Sequence, residues 1–238
     1  MLDYLKRTRR VTPALEEKAR HYLSLGYQRL LSFECRGGGF EWFGQGSGIV
    51  FLSAYGLQEF HDMSRVFDID PQVVERTRSF LLSRMDTEGA WSFDGCPHGA
   101  RVEALPLDQQ KLGLTAYVLW SLLEAGTPAE EPHVQKGLAL LHRAAATRDP
   151  YLQALAALAL LSADRTDPRA HAILDELIRG RVQEGGLVHW TGGTSVISYA
   201  AGEALDVETT ATIVLALQKA NRNLDVASQA LGWIVTKK

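Results

Sequence analysis

Gly37 to Phe60, GGGFEWFGQGSGIVFLSAYGLQEF, decides the fold. A glycine-rich turn carrying aromatics at Phe40, Trp42 and Phe43 runs straight into an apolar helix. The pattern recurs. Gly89 to Asp94 (GAWSFD) leads through a longer loop into Gly113 to Ala125 (GLTAYVLWSLLEA), and Gly185 to Trp190 (GGLVHW) leads into Glu208 to Ala220 (ETTATIVLALQKA). Aligning Gly39, Gly89 and Gly186 gives steps of 50 and 97 residues. These are about one and two periods. A further unit, Tyr151 to Ala163, keeps the helix and has lost the turn. Such periods indicate stacked supersecondary units that bury their apolar faces on one another.

Composition sets the bounds. The 238 residues are 46% hydrophobic and the mean hydropathy is -0.09, which suits one globular domain, residues 1–238, with a sizeable core. The net charge is -3, and Lys6 to Arg10 is the one basic cluster. A single patch of that kind at a chain end reads as a solvated helix face, so no nucleic-acid partner is expected. No apolar run approaches the ~18 residues of a membrane span, and the N-terminus shows neither a signal-type apolar core nor a cleavage site. Cys35 and Cys96 form no CxxC and cannot build a disulfide framework. Each flanks a glycine-aromatic turn. They read as two unlinked small hydrophobic residues, with a single bridge as the alternative if those turns meet.

In chain order, Leu2 to Arg9 reads as the last turns of a helix, because it opens mid-pattern without a cap and ends in basic residues suited to a helix C-terminus. Thr12-Pro13 then starts a long helix with a capping hydroxyl followed by proline at the first helical position. The same punctuation returns at Asp70-Pro71, Glu131-Pro132, Asp149-Pro150 and Asp167-Pro168, with Glu131 the weakest cap of the set.

The helices fall into two classes. Residues 13–33, 71–84, 132–147, 168–181 and 224–236 interleave charged and apolar residues at helical spacing, as a helix with one wet side must. Residues 49–61, 109–125, 151–163 and 208–220 carry long apolar runs such as LQALAALALL, Leu152 to Leu161, which suit burial on most sides. Strict alternation of the two classes predicts an all-α double ring, an α/α toroid. If six pairs close the ring, the chain reads as clipped at both ends, lacking the start of its first inner helix and its last helix.

Six stretches carry a resemblance to a known family: Leu2-Asp3-Tyr4-Leu5, Gly26-Tyr27-Gln28-Arg29, the turn Gly39-Phe40 with Phe43-Gly44, Leu52-Ser53-Ala54-Tyr55, Leu114-Thr115-Ala116-Tyr117 and Val207-Glu208-Thr209-Thr210. In order and spacing the chain resembles the thioester domain of the alpha-2-macroglobulin and complement family. That resemblance implies a toroidal domain within a larger secreted or periplasmic protein concerned with host defence or protease inhibition. In such proteins a Cys-Gly-Glu-Gln motif forms an internal thioester. Proteolysis exposes the bond, and an amine or hydroxyl of a target protein is captured on it. A thiolate leaves far more readily than an alkoxide, so the bond stores reactivity that burial restrains. The implied partners are proteases or other targets and the neighbouring domains of the parent chain; no cofactor or metal is implied, and no enzymatic turnover.

The departure from the family pattern is plain: Cys35 is followed by Arg-Gly-Gly and Cys96 by Pro-His-Gly, so neither lies in Cys-Gly-Glu-Gln. The resemblance places that motif upstream of the segment matched by Met1 to Leu5. It implies two site residues. His98, in DGCPHGARVE, falls near the position from which a histidine attacks the thioester in some complement proteins, where a neutral imidazole is a competent nucleophile. Its alternative is a solvated loop histidine. Glu208, with Asp206, places negative charge at an inner-helix N-terminus, which stabilises the helix by itself, while the resemblance sets that end near the thioester. His21, His61, His133, His142, His171 and His189 read as structural.

Rival readings use the same ring of helices. Asp94-Gly95-Cys96 looks like half of a prenyltransferase zinc site, but the third ligand expected on a later inner helix is replaced by Asp206-Val-Glu-Thr-Thr. A terpene cyclase needs one more carboxylate than Asp68-Ile-Asp70-Pro71 provides, and a toroidal glycosidase needs paired carboxylates. A degenerate thioester domain that only mediates protein contacts is the remaining alternative. The turn aromatics Phe40, Trp42, Phe43, Trp91, Phe93 and Trp190 are expected to plug the spaces between inner helices, where glycine lets the backbone approach.

Overall fold

A computed structural model describes residues 2–93, 105–193 and 197–237. Among the described residues the structure is all-α apart from two three-residue strands, and the chain divides into two compact units, Met1–Arg84 and Met85–Lys238.

The first unit contains α1 (Leu2–Arg7), α2 (Pro13–Leu31), α3 (Val50–Ser64) and α4 (Pro71–Ser83). The expected caps form. Thr12 Oγ1 accepts from Leu15 N–H at 3.3 Å, and Asp70 Oδ1 from Gln72 N–H at 2.9 Å. Phe40, Phe60, Ile69 and Val73 form one core cluster, flanked by half-buried Tyr27, Leu30 and Phe67. Tyr27 meets Phe60 edge-on at 6.1 Å and Phe67 at 5.9 Å, while its hydroxyl accepts from Asp70 N–H at 3.1 Å. One residue of Gly26-Tyr27-Gln28-Arg29 thus packs the core and fastens the start of α4.

The second unit contains α5 (Leu107–Glu124), α6 (Pro132–Leu140), α7 (Pro150–Ala163), α8 (Pro168–Arg179), β1 (Val182–Glu184), β2 (Leu187–His189), α9 (Glu203–Ala220) and α10 (Leu224–Thr236). Helix α7 lies at its centre, packed against α5, α8 and α9. From Tyr151 to Leu161 no residue of α7 is more than 5% exposed. Its alanines let the neighbouring helices close in, as the apolar run requires. Three polar side chains tie the far ends of α5, α7 and α9 together: Ser162 Oγ donates to Glu124 Oε1 at 2.8 Å, and Lys219 Nζ pairs with the same oxygen.

Several elements differ from the sequence reading. The span 132–147 is not one α-helix, because its last turn, Leu141–Ala146, tightens to 3₁₀. Glu131 caps α6 as the punctuation implied, its longer side chain reaching Val134 N–H at 3.0 Å. Gly185 and Gly186, with φ of 57° and 82°, turn a short antiparallel hairpin in which Glu184 pairs with Leu187. Both positions need positive φ, which glycine supplies without strain. Helix α9 starts at Glu203 rather than Glu208, with Gly202 at its N-cap and Glu203 and Asp206 in the first turn. The charge at that terminus therefore comes from Glu203 and Asp206, and Glu208 lies one turn further in.

Candidate functional site

Each glycine-aromatic turn is fastened to its following helix by one buried hydroxyl. In the first unit, Ser53 Oγ of α3 accepts from Phe40 N–H at 2.9 Å and donates to the Ile49 carbonyl at 2.7 Å. In the second, Thr115 Oγ1 of α5 accepts from Trp91 N–H at 3.1 Å, and Thr210 Oγ1 of α9 accepts from Trp190 N–H at 3.1 Å. Ser53, Thr115 and Thr210 each precede an alanine. In α7, whose turn is lost, Gln153 stands before Ala154, and its amide donates instead to the Thr147 carbonyl at 2.9 Å. A buried turn N–H needs an acceptor. The hydroxyl supplies it and so sets where each turn crosses the end of its helix. Thr115→Val and Thr210→Val keep the shape and remove the acceptor. Each is expected to destabilise by about 1–3 kcal/mol, measured by chemical denaturation, because a buried N–H is left unpaired.

The anchors also select which aromatic turns inward. Phe40, Trp91 and Trp190 are buried, as expected. Phe93 is half-buried. Phe43 is 78% exposed and Trp42 39%, so the core-plug expectation fails for both, although Trp42 meets Phe51 edge-on at 6.2 Å. The reason lies in the turn itself. Past Phe40, Glu41 Oε1 accepts from Gln45 N–H at 2.6 Å and Gly46 N–H at 3.2 Å, curling the chain outward. Those hydrogen bonds, from Gln45 foremost, hold the Glu41 carboxyl below its ordinary range. Phe40, Trp42, Tyr55 and Phe60, with Leu30 and Phe33, line an open cleft of about 210 Å³.

At the N-terminal ends of α7 and α9 these elements hold a carboxylate in place. Tyr151 Oη donates to Glu208 Oε1 at 2.7 Å, and Ser198 Oγ donates to Oε2. Asp206 Oδ1 accepts from Gly192 N–H at 2.9 Å, binding the segment after the hairpin to α9. With both oxygens accepting, Glu208 keeps one orientation and carries fixed negative charge, able to steer an ammonium group or polarise a hydroxyl. Tyr151 and Ser198 were not singled out in the sequence. The signal available was the tyrosine just inside the proline-started helix α7; nothing marked Ser198.

His98, Asp94 and Cys96 lie outside the described residues. Cys35 is buried with a free thiol, and burial, helped by the Glu41 and Glu34 carboxylates, pushes that thiol up, which makes it a poor nucleophile. Among the described residues no three His, Cys, Asp or Glu side chains group in a way that could hold a metal ion. His189 stacks on Trp233 at 4.4 Å, and His133 and His142 bond to Glu131 and the Ala139 carbonyl.

Residues 1–238 match the family model described as the A-macroglobulin TED domain. This chain belongs to the A-macroglobulin TED-domain family. It is 28% identical over 251 residues to alpha-2-macroglobulin-like protein 1 of Mus musculus, and 28% identical over 253 residues to ovostatin of Gallus gallus. Each alignment covers 100% of this chain and 17% of the relative. The TED domain is thus one part of much larger proteins in these relatives. Among the described residues no helix is long and apolar enough to cross a membrane.

Proposed function

We propose that residues 1–238 act as a single thioester domain of the α/α toroid type, within a larger extracellular or periplasmic protein that traps or tags target proteins after proteolysis. The observation that carries this reading is the TED-domain match across the whole chain, with that chain spanning 17% of each relative. The thioester comes from a Cys-Gly-Glu-Gln segment of the parent protein, since neither Cys35 nor Cys96 lies in such a motif.

In this reading the neutral imidazole of His98 attacks the thioester carbonyl, and the acyl–sulfur bond breaks to leave a thiolate. The thiolate then takes the proton of an incoming hydroxyl, whose oxygen displaces the imidazole and forms an ester with the target. Without the histidine step, an amine attacks the thioester directly. Glu208, held by Tyr151 and Ser198, supplies the fixed negative charge that steers a cationic acceptor to this end of α9. The bond is consumed once per molecule, so the protein inhibits or labels rather than turns over. Proteases are the partners this chemistry serves.

The test uses the parent protein purified from its source. Labelled methylamine is expected to become covalently attached at about one per chain with release of one thiol, as thioester aminolysis requires. No incorporation and no thiol release would overturn the reading and leave a non-reactive contact domain.

A further inference from the structure

Lys6-Arg7-Thr8-Arg9-Arg10-Val11 holds the chain's one Arg-Arg pair. The stretch straddles the end of α1 and the connection to α2, whose first residue is Pro13. Arg7, Thr8, Arg9 and Arg10 are all exposed. Lys6 pairs with Glu16 at 2.6 Å and Arg7 with Asp3 at 2.9 Å, while Arg9 and Arg10 meet no carboxylate among the described residues.

The backbone closes there in a way that normally calls for glycine. Arg10 N–H donates to the Leu5 carbonyl at 2.8 Å, and Arg9 N–H donates to the Lys6 carbonyl at 3.1 Å. This pair of bonds ends a helix when the residue just past it turns left-handed. Arg9 fills that position, with φ of 56°. Glycine takes it without strain, whereas a long side chain on a Cβ is poorly suited to it. Ending the helix does not account for an arginine here, and a need for its guanidinium does. Little holds the segment shut. None of the six residues of α1 is buried, and α2, which follows, has no buried residue either. A helix without a buried face opens locally at small cost, and such opening presents a peptide bond to a protease.

We propose that the Arg10–Val11 peptide bond is a processing site for a serine endoprotease that reads paired basic residues. Such an enzyme holds its substrate as an extended strand and takes the arginine before the cut into an acidic pocket. Arg10 supplies that group. Arg9 and, once released from Asp3, Arg7 lie one and three positions before it, where they meet further carboxylates of the protease. Val11 follows the cut, and Pro13 is clear of the bond. Hydrolysis adds one water across the amide, leaving a carboxylate on Arg10 and an ammonium on Val11, and it severs α1 from α2. Arg76-Thr77-Arg78 is the protected counterpart. It lies inside α4, Thr77 is buried, and its arginines pair with Glu34 and Glu75. The cut does not depend on a thioester: a parent protein that takes up no methylamine is still cleaved here.

The full chain, folded and at neutral pH, is digested with a subtilisin-type endoprotease specific for paired basic residues, and separately with trypsin at a low ratio. Both are expected to give a first large fragment that begins at Val11, identified by N-terminal sequencing and intact mass, with the bonds after Arg76 and Arg78 uncut. Arg10→Gln is expected to slow the paired-basic enzyme about a hundredfold, because a pocket built for a guanidinium rejects a neutral amide. Arg9→Gly should slow it about tenfold, the size of one lost side-chain contact. The urea midpoint of that variant should not fall, since glycine suits the left-handed position. A first cut elsewhere overturns the proposal, as does a folded chain that resists the paired-basic enzyme while a peptide of residues 4–16 is cleaved. A lower urea midpoint in R9G overturns it too, because Arg9 would then serve the fold.

Discussion

Trp190→Ala should cost about 3–5 kcal/mol of stability, the range for removing a fully buried large aromatic and leaving a cavity. Trp190 has no exposed surface. Its ring nitrogen donates to the Leu177 carbonyl at 2.6 Å, joining α8 to the turn, and its backbone N–H is held by Thr210 Oγ1 at 3.1 Å, joining the turn to α9. The substitution therefore opens a void and leaves a buried carbonyl without its donor. Trp190→Phe separates these effects. It keeps most of the apolar volume and is expected to lose only the smaller part, about 1–3 kcal/mol, that goes with the unpaired carbonyl. Trp42→Ala is the control, since that ring is 39% exposed. Urea unfolding of the three variants should rank Trp190→Ala, Trp190→Phe, Trp42→Ala from most to least destabilised. If Trp42→Ala proves as costly as Trp190→Ala, the view that the hydroxyl anchors select the inward aromatic is wrong.

Proline and aspartate announced most helix starts because their effect is local: a cap needs only the residues next to it, and Asp70, Asp149 and Asp167 each cap their helices as the sequence implies. The burial of α7 was equally legible, since ten of the eleven residues from Tyr151 to Leu161 are apolar or aromatic, Gln153 being the exception, and leave no wet face. What could not be read is the set of long-range partners. The residue types of the turn do not say that Trp42 faces outward while Phe40 does not; the Phe40 N–H is held by Ser53, which lies beyond the turn, and Glu41 curls the chain that follows by accepting from Gln45 and Gly46. The start of α9 was misplaced for a related reason. The apolar run beginning near Glu208 dominates the pattern, whereas the helix begins at Glu203, after Gly202, whose positive φ of 57° is a property of the backbone rather than of any side chain.

The candidate site divides in the same way. Glu208 was visible as a carboxylate within a family-like string, but what makes it a fixed group is Tyr151, 57 positions away, and Ser198, ten positions away. Tyr151 could be guessed as core from its place in α7, and it is core, yet its hydroxyl does the positioning. One side chain serving two ends in this way is common where a buried helix terminus meets a surface: the ring satisfies the interior and the polar tip reaches the edge.

Gly39→Ala is the second substitution with a large expected effect, and it divides three glycines that look alike in Gly37-Gly38-Gly39. Gly39 has φ of 73°. A Cβ there would lie 2.5 Å from a ring carbon of Phe80 and 2.7 Å from Ser53 Oγ. Phe80 is 4% exposed on α4 and has little room to withdraw. Ser53 cannot move without releasing the Phe40 N–H. The left-handed strain costs about 1–2 kcal/mol and the overpacking about 1–3 kcal/mol, and both act on the same residue. Gly37→Ala is the matched comparison: nothing lies within 4 Å of its would-be Cβ and its φ is not in the left-handed region, so a change within about 0.5 kcal/mol is expected, as at most surface positions. A large loss in Gly39→Ala beside a near-neutral Gly37→Ala, read from the urea midpoints, would show that the turn's first duty is to pass between Phe80 and Ser53. Equal effects would mean that glycine is needed there only for flexibility, and the close approach of turn, α3 and α4 would have to be abandoned as the reason for the motif.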